Sequence, residues 1–159
     1  MKVTLAKALK LKNRFANKLQ DVSRNIVTYN SVIEGLERPL DVNALMEKRG
    51  KLVDALINLK TAISVANTPI QSTIYLLAEI KGELGFLRSI DTTAGKQINT
   101  GNWGAEDNIY EKSAVIDYAT IQGLIQQAEI DIDTNQDKLD KHNHTIDVEI
   151  PDEVLNLLR

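Results

Sequence analysis

The chain has 159 residues and a net charge of −3, with 43% hydrophobic, 26% charged and only 4% aromatic residues. A chain of this length can bury a core without a disulfide or a structural metal, and the lack of cysteine excludes thiol catalysis and thiolate metal sites. Four lysines within the first 12 residues break any apolar run before it reaches the length of a signal sequence or a membrane span. We therefore expect a cytoplasmic protein with an aliphatic core, or a virion-associated one if a phage encodes it.

Charge is distributed unevenly along the chain. Residues 1–24 hold seven lysines or arginines and one aspartate, whereas residues 117–153 hold ten acidic residues and two lysines. Opposite charges favour side-by-side packing of the first and last helices, within one chain or between two, although each exposed pair contributes little energy. We expect this asymmetry to set the register of packing more than its stability.

Two helices are predicted in the first half of the chain, where apolar residues recur at alternating steps of three and four. The first begins after Thr4 as N-cap and ends at residue 29 or 30, and a loop follows over 31–40. The second begins after Asp41 as N-cap and ends at 67–69. The expected buried stripes are Ala8, Leu11, Phe15, Leu19, Val22, Ile26 and Tyr29 in the first, and Leu45, Leu52, Leu56, Leu59, Ile63 and Ala66 in the second.

Two more helices are predicted in the second half. The third begins near residue 72 or 73, and its Gly82 and Gly85 weaken the helix but allow close approach of another backbone. The fourth runs over 118–141 with Asp117 as N-cap. The expected stripes are Leu77, Ile80, Leu84 and Leu87 in the third, and Ile121, Ile125, Ala128, Ile132 and Leu139 in the fourth, with the polar Asn135 at one apolar step.

The helical periodicity stops over residues 91–108, which are rich in glycine, threonine and asparagine and contain the only tryptophan. A loop of this length usually has a function. A large ring between glycines either packs on the protein's own helices or contacts a partner. We predict a partner-binding site here, made of Trp103, Gly101, Gly104, Ile109 and Tyr110.

Two short segments have strand character. Residues 109–116 look extended, and residues 145–150 alternate apolar and polar side chains, so we expect the two to pair as a ribbon. A short amphipathic helix follows over 152–158. The predicted fold is all-α, a single domain over 1–159 in which three to four long antiparallel helices form a coiled-coil-like bundle. Residues 91–116 supply a loop and a short strand, and residues 145–159 supply a strand and a helix near the C-terminus.

Five segments carry leucine-type positions, a Glu-Gly turn and cap residues in a recognisable order: LAKALKLKNRFANKLQ (5–20), VIEGLERPLDVNALMEKRGKL (32–52), LKTAISVANT (59–68), LLAEIKGELGFLRSI (76–90) and SAVIDYATIQGLIQQAEIDIDTNQDKLDKHN (113–143). This order resembles the septicolysin-like family of small bacterial and phage-associated helical proteins, most of which have no established function. The family name suggests membrane damage, and the resemblance implies no catalytic residue. The segment after Thr145 lies outside it.

Two clusters of polar residues are candidates for a metal-binding or catalytic site. His142 and His144 are candidate metal ligands, but neither a third histidine nor a cysteine exists, and the alternative is an ordinary helix end. The acidic residues Glu129, Asp131, Asp133, Asp137 and Asp140 lack the central glycine and closing glutamate of a calcium loop, and we interpret them as a solvated helix face. We predict no catalytic, cofactor-binding or metal site.

A second apolar edge on the first helix, at Leu5, Leu9 and Ala16, favours self-association. We therefore expect a non-enzymatic structural or interaction protein that forms a homo-oligomer or part of a larger assembly. The net negative charge and the small number of aromatic residues argue against nucleic-acid binding. A membrane-active, cytolysin-like protein is the alternative, although the core needs the apolar face that a membrane would bind. A metal-dependent enzyme that uses His142 and His144 is a weaker alternative.

Overall fold

The computed structural model of the protein describes residues 1–99 and 108–158. Most of these residues are helical, which confirms the predicted class of a helical protein with small β elements. In chain order the elements are β1 (Lys2–Thr4), α1 (Leu5–Tyr29), α2 (Val42–Asn67), a 3₁₀ turn (Thr68–Ile70), α3 (Gln71–Ser89), β2 (Gly95–Asn99), β3 (Asn108–Lys112), α4 (Tyr118–Thr145), β4 (Asp147–Glu149) and α5 (Asp152–Asn156).

The chain divides into two compact units. The first unit consists of Met1–Gln71 with Asp140–Arg159, and the second unit consists of Ser72–Leu139. The single domain expected over residues 1–159 stays a prediction.

Helices α1 and α2 pack antiparallel in the first unit. Nε of Arg49, near the start of α2, donates a 3.1 Å hydrogen bond to Oγ of Ser23, in the second half of α1. The predicted apolar stripes are confirmed, because every member is buried or half-buried. Together with Val3, Leu5, Val148 and Ile150, the helices build one core from Ala8, Leu11, Phe15, Val22, Leu52, Ala55, Leu56, Leu59 and Ile63.

Both helices begin at the predicted caps. Oγ1 of Thr4 accepts a 3.3 Å hydrogen bond from the backbone N–H of Lys7. Oδ1 of Asp41 accepts from the backbone N–H groups of Asn43, at 2.9 Å, and Ala44, at 3.1 Å. These bonds satisfy donors that the first turn of a helix leaves free.

The predicted loop between the two helices contains a turn and a cap. Gly35 has φ of 87°, a left-handed conformation that glycine adopts at little cost. The guanidinium of Arg38 donates to the backbone oxygens of Tyr29, at 3.1 Å, and Asn30, at 3.3 Å. Arg38 therefore satisfies carbonyls at the end of α1.

The predicted partner of the C-terminal strand is wrong. Strand β4 pairs antiparallel with β1, with Val3 opposite Val148, and not with the segment 109–116. The backbone N–H of Ile150 also donates to the oxygen of Met1 at 2.9 Å. Strand β1 is three residues long, which is too short to display an alternating pattern, so no local pattern indicated it.

This ribbon changes the expected second edge of α1. The backbone N–H of Leu5 donates to the oxygen of Ile146 at 2.7 Å, and the Leu5 side chain is completely buried. Leu9 is half-buried, and only Ala16 is exposed. The prediction of an exposed edge is therefore wrong for Leu5, because the ribbon covers the start of the helix.

A 3₁₀ turn, and not a loop, connects α2 with α3. The backbone N–H of Thr68 donates to the backbone oxygen of Val65, three residues earlier, as in a 3₁₀ helix. The next residue, Pro69, has no backbone N–H to donate. The predicted end of α2 is confirmed, and α3 begins at Gln71, close to the expected residue 72 or 73.

The stripes predicted for the second unit are also confirmed. The buried members are Leu77, Leu84 and Leu87 on α3 and Ile121 and Ala128 on α4, and the half-buried ones are Ile80, Ile125, Ile132 and Leu139. Asp117 caps α4, since its Oδ1 accepts a 2.7 Å hydrogen bond from the N–H of Thr120. Helix α4 continues past the predicted end at residue 141, to Thr145.

Part of the predicted 91–108 loop is a strand. Residues Gly95–Asn99 form β2 and pair antiparallel with β3, so the segment expected to be extended over 109–116 is strand only as far as Lys112. Strand β2 contains a single isoleucine among polar residues and glycine, so its sequence does not alternate and indicated a loop.

Candidate interaction surfaces

Strands β2 and β3 form a hairpin whose two faces differ. The register places Lys96 opposite Glu111 and Ile98 opposite Ile109. Because residues two apart in a strand share a face, these four side chains lie together on one side of the ribbon. All four are exposed, the two isoleucines by 63% and 64%. We call these four residues the outer face of the hairpin.

The other side of the ribbon is the less exposed one. Gly95, Gln97 and Lys112 are half-buried there, and Tyr110 is 44% exposed. Isolated two-stranded ribbons are only marginally stable in water, so contacts on this side help to hold the hairpin.

An ion pair fixes the base of the hairpin. Nζ of Lys112 lies 2.9 Å from Oδ2 of Asp91, and the backbone N–H of Thr93 donates to Oδ1 of Asp91 at 2.9 Å. The hydrogen bonds from Thr93 and Lys112 hold the pKa of Asp91 well below its ordinary value of 3.8. The same contact raises the pKa of Lys112, so both groups are charged at neutral pH.

The residues predicted to bind a partner are placed only in part. Ile109 lies on the outer face and Tyr110 on the opposite side of the same strand, so the structure does not bring the two together. Trp103, Gly101 and Gly104 lie outside the described residues, and their role stays a prediction. Lys96 and Ile98 were not among the predicted site residues, because only the pairing of β2 with β3 brings them to this face.

Helix α3 has a second row of side chains that the sequence analysis also missed. Tyr75, Glu79, Gly82 and Phe86 follow one another at steps of four, three and four, on the side of the helix opposite the buried stripe. Tyr75 is 64% exposed and Phe86 is 58% exposed. A Cβ placed at Gly82 would meet nothing within 4 Å. This row, which we call the α3 row, therefore faces open space, and its spacing was the signal that could have revealed it.

Helix α2 repeats that spacing. Met46, Gly50, Val53 and Ile57 follow at the same steps, away from the buried stripe of that helix. Met46 and Ile57 are more than half exposed, and a Cβ at Gly50 would likewise meet nothing within 4 Å. We call these residues the α2 row.

The seam between α3 and α4 leaves a groove. Its volume is about 220 Å³, and it is lined by Ile80, Glu83, Leu87, Leu124, Gln127, Ala128 and Asp131. At one point the two helices are joined by an ion pair in which Nη2 of Arg88 lies 2.7 Å from Oε1 of Glu129. Exposed pairs of this kind contribute little to stability. The apolar stripes of the second unit are thus only partly covered.

Asn135 is a buried polar residue in the stripe of α4, with 8% of its surface exposed. Its Nδ2 donates to the backbone oxygen of Asp131 at 2.8 Å, and its Oδ1 accepts from Nζ of Lys138 at 3.2 Å. Both bonds are made within its own helix, so the amide is satisfied without a partner helix.

The two histidines do not converge. Both belong to α4, where residues two apart point about 200° away from each other. Nε2 of His142 lies 3.0 Å from the backbone oxygen of Ala66, and His144 is exposed. Over residues 1–99 and 108–158, no group of three His, Cys, Asp or Glu side chains is placed to hold a metal ion.

The predicted solvated face of α4 is confirmed for Glu129, Asp133, Asp137 and Asp140, which are exposed, whereas Asp131 is half-buried and lines the groove. On α1, Lys7, Lys10 and Arg14 are exposed. None of the helices in the described part of the chain is both long enough and apolar enough to cross a membrane.

No protein-family model, curated protein or solved structure matches this chain.

Proposed function

We propose that this protein is a non-enzymatic structural protein that assembles with copies of itself, alone or within a larger assembly in the cytoplasm or a virion. The contacts are made by the α3 row, by the α2 row and by the hairpin. Membership of the septicolysin-like family, which rests on the helix and cap pattern of residues 5–143, is part of the same proposal.

The α3 row is the observation that carries the proposal. Aromatic side chains each bury about 150–250 Å² when they are covered, so leaving Tyr75 and Phe86 in water forgoes a large gain. Aromatic residues are enriched at interfaces between proteins, which favours a contact at these two exposed rings. A helix from a second copy that crosses α3 would cover both rings.

Gly82 supports the same contact. A glycine inside a helix costs about 1 kcal/mol relative to alanine. Nothing in the described structure packs where its Cβ would lie, so packing within the chain gives no reason for a glycine there. A second helix that approaches closely would give that reason, and Gly50 in the α2 row is placed in the same way.

The arrangement we propose for the assembled state is an antiparallel, coiled-coil-like bundle of three to four long helices. The groove of about 220 Å³ along α3 and α4 supports it, because a helix from another copy would complete the partly covered stripes. Asn135 supports it as well, since a polar residue at one core position often fixes the register of packed helices.

The test is the solution mass of a variant that charges the α3 row. Tyr75→Glu with Phe86→Glu should shift the protein toward its monomer mass of 17.7 kDa, because both positions are exposed in the chain and buried only in the assembly. The matched control is Gln122→Glu with Gln126→Glu, which adds the same two charges at exposed positions of α4, away from the α3 row and from the groove. Circular dichroism checks that both variants fold. Equal association of Tyr75→Glu/Phe86→Glu and the wild type would contradict the proposal.

A membrane-active function is the second candidate, and the connection between α1 and α2 is the observation that favours it. Ile33 and Leu36 in the connection are exposed by 75% and 63%, and Val27 in the last turn of α1 is exposed by 81%. If this segment binds lipid, the protein should release dye from anionic vesicles, and Ile33→Glu with Leu36→Glu should abolish the release. Intact vesicles at every lipid composition would exclude this function.

A further inference from the structure

The outer face of the hairpin has a charge pattern that is complementary to itself. It consists of two isoleucines side by side, Ile98 and Ile109, and two opposite charges side by side, Lys96 and Glu111. All four are exposed, whereas three of the four residues named on the other face are half-buried. A ribbon of two strands gains most of its stability from packing on a face, so an apolar outer face is a place for a partner.

We infer that this face docks on the same face of a second copy, with a two-fold axis that runs parallel to the strands. The inference rests on the proposed function, because it names the partner surface of the self-assembly. In a two-fold contact, if one residue touches another, the reciprocal contact exists as well. The axis places β2 of one copy over β3 of its partner, with both hairpins pointing the same way.

The register then makes every contact complementary. Because Ile98 and Ile109 are paired across the ribbon, Ile98 of one copy lies over Ile109 of the other. Lys96 likewise lies over Glu111, and the reciprocal pair repeats the contact. Two sheets packed face to face are about 10 Å apart, a distance that these side chains span. The dimer therefore has four isoleucines at its centre and two ion pairs beside them.

The alternative packing, with the hairpins pointing in opposite directions, lacks this match. When the isoleucines are stacked in that arrangement, Lys96 and Glu111 lie at opposite ends of the contact, and among the four described residues of the outer face neither meets an opposite charge. Charges that fail to pair disfavour a register more strongly than they stabilise the right one. The outer face thus specifies one orientation as well as a partner.

Charge reversal tests the contact directly. Lys96→Glu makes the outer face wholly acidic, and Glu111→Lys makes it wholly basic. Each variant alone should associate roughly tenfold more weakly than the wild type, because both symmetry-related pairs become repulsive. An equal mixture of the two variants should associate more tightly than either variant alone, since every pair between the two copies of the mixed dimer is again opposite in charge. Sedimentation equilibrium with one variant fluorescently labelled measures the mixed species.

The mixing experiment separates docking from damage to the hairpin. Each single variant also places like charges across its own ribbon, which weakens that ribbon, but mixing does not repair this intrachain repulsion. Recovery on mixing therefore reports contact between copies. Lys51→Glu, an equal charge reversal at an exposed position of α2, is the control and should associate like the wild type. Raising the salt to about 1 M should reduce the differences, because the screening length falls to about 3 Å.

Each outcome decides something. Weaker single variants with recovery in the mixture support hairpin docking. A wild type that associates, together with single variants that associate equally well or a mixture without recovery, overturns hairpin docking and leaves the proposed function standing on the α3 row. A wild type that stays monomeric at every concentration overturns both.

Discussion

The chain has two phenylalanines, and they represent two different ways of using apolar surface. Phe15 in the first unit is completely buried, whereas Phe86 in the second unit is 58% exposed. Around Phe15, the helices α1 and α2, the β1–β4 ribbon and the C-terminal leucines form one continuous core. Around Phe86, α3 has one covered stripe and one open row.

This difference separates stability from assembly. The first unit covers the predicted stripes of α1 and α2 with its own elements, so substitutions in that core should act on unfolding. The second unit keeps a groove along α3 and α4 and an open aromatic row, so its substitutions should act on association. A phenylalanine therefore contributes to folding stability at position 15 and to association at position 86.

Truncating the two phenylalanines gives the largest expected effect. Phe15→Ala should lower the free energy of unfolding by about 3–5 kcal/mol, because it removes a completely buried ring. Phe86→Ala should change the unfolding of the dilute monomer by less than about 0.5 kcal/mol. It should instead weaken association at least roughly fivefold, as truncation of an interface aromatic does. Chemical denaturation and sedimentation measure the two quantities, and similar unfolding losses for both variants would break the comparison.

Replacing Asn135 should have an intermediate effect and tests the same distinction between folding stability and association. Asn135→Leu removes a buried amide whose hydrogen bonds are all within α4, so the free energy of unfolding should stay equal or rise by about 1 kcal/mol. The distribution of oligomers should broaden, because a polar core residue restricts register and number of helices. Thermal denaturation and native mass spectrometry report these changes. A loss of more than about 2 kcal/mol would indicate that Asn135 supports the fold itself.

The ion pair at the base of the hairpin gives the smallest effect on global stability and a defined pH dependence. Because the folded pKa of Asp91 is lowered, its contribution is complete above the ordinary value of 3.8 and is lost as the pH falls through the folded pKa. The folded pKa of Lys112 is raised, so its contribution is complete below 10.5 and is lost as the pH rises through the folded pKa.

Between pH 3.8 and 10.5 both Asp91 and Lys112 are charged in the folded protein. Over this range we therefore expect the opening of the hairpin, measured by hydrogen exchange of its backbone amides, not to increase. Asp91→Asn should speed exchange in β2 and β3 at neutral pH, whereas Asp133→Asn on the exposed face of α4 should leave it unchanged. Equal exchange in the two variants would show that the ion pair does not hold the hairpin.

The sequence predicted the long helices well because their signal is local and repeated. The stripes and the caps at Thr4, Asp41 and Asp117 were all found where the spacing placed them. Steps of three and four sustained over several turns leave little ambiguity about the buried face.

The strands and the open rows were harder to predict, for physical reasons. Strand β1 is three residues long and pairs with a segment near the other end of the chain, a contact that no local pattern encodes. Strand β2 has a single apolar residue, Ile98, so the outer face exists only through its pairing with β3. The α3 row mixes aromatic residues with Glu79 and Gly82, and a search for apolar periodicity passes over it.

The central claim is that the α3 row is covered by a second copy of the chain. The most direct measurement is hydrogen exchange of the α3 amides in the wild type at low and at high micromolar concentration, with sedimentation equilibrium on the same samples. The account predicts a mass that rises above 17.7 kDa with concentration, and protection that increases around Tyr75 and Phe86 while the amides of α1 stay unchanged. A single monomeric species, with the same exchange in α3 at both concentrations, would contradict it.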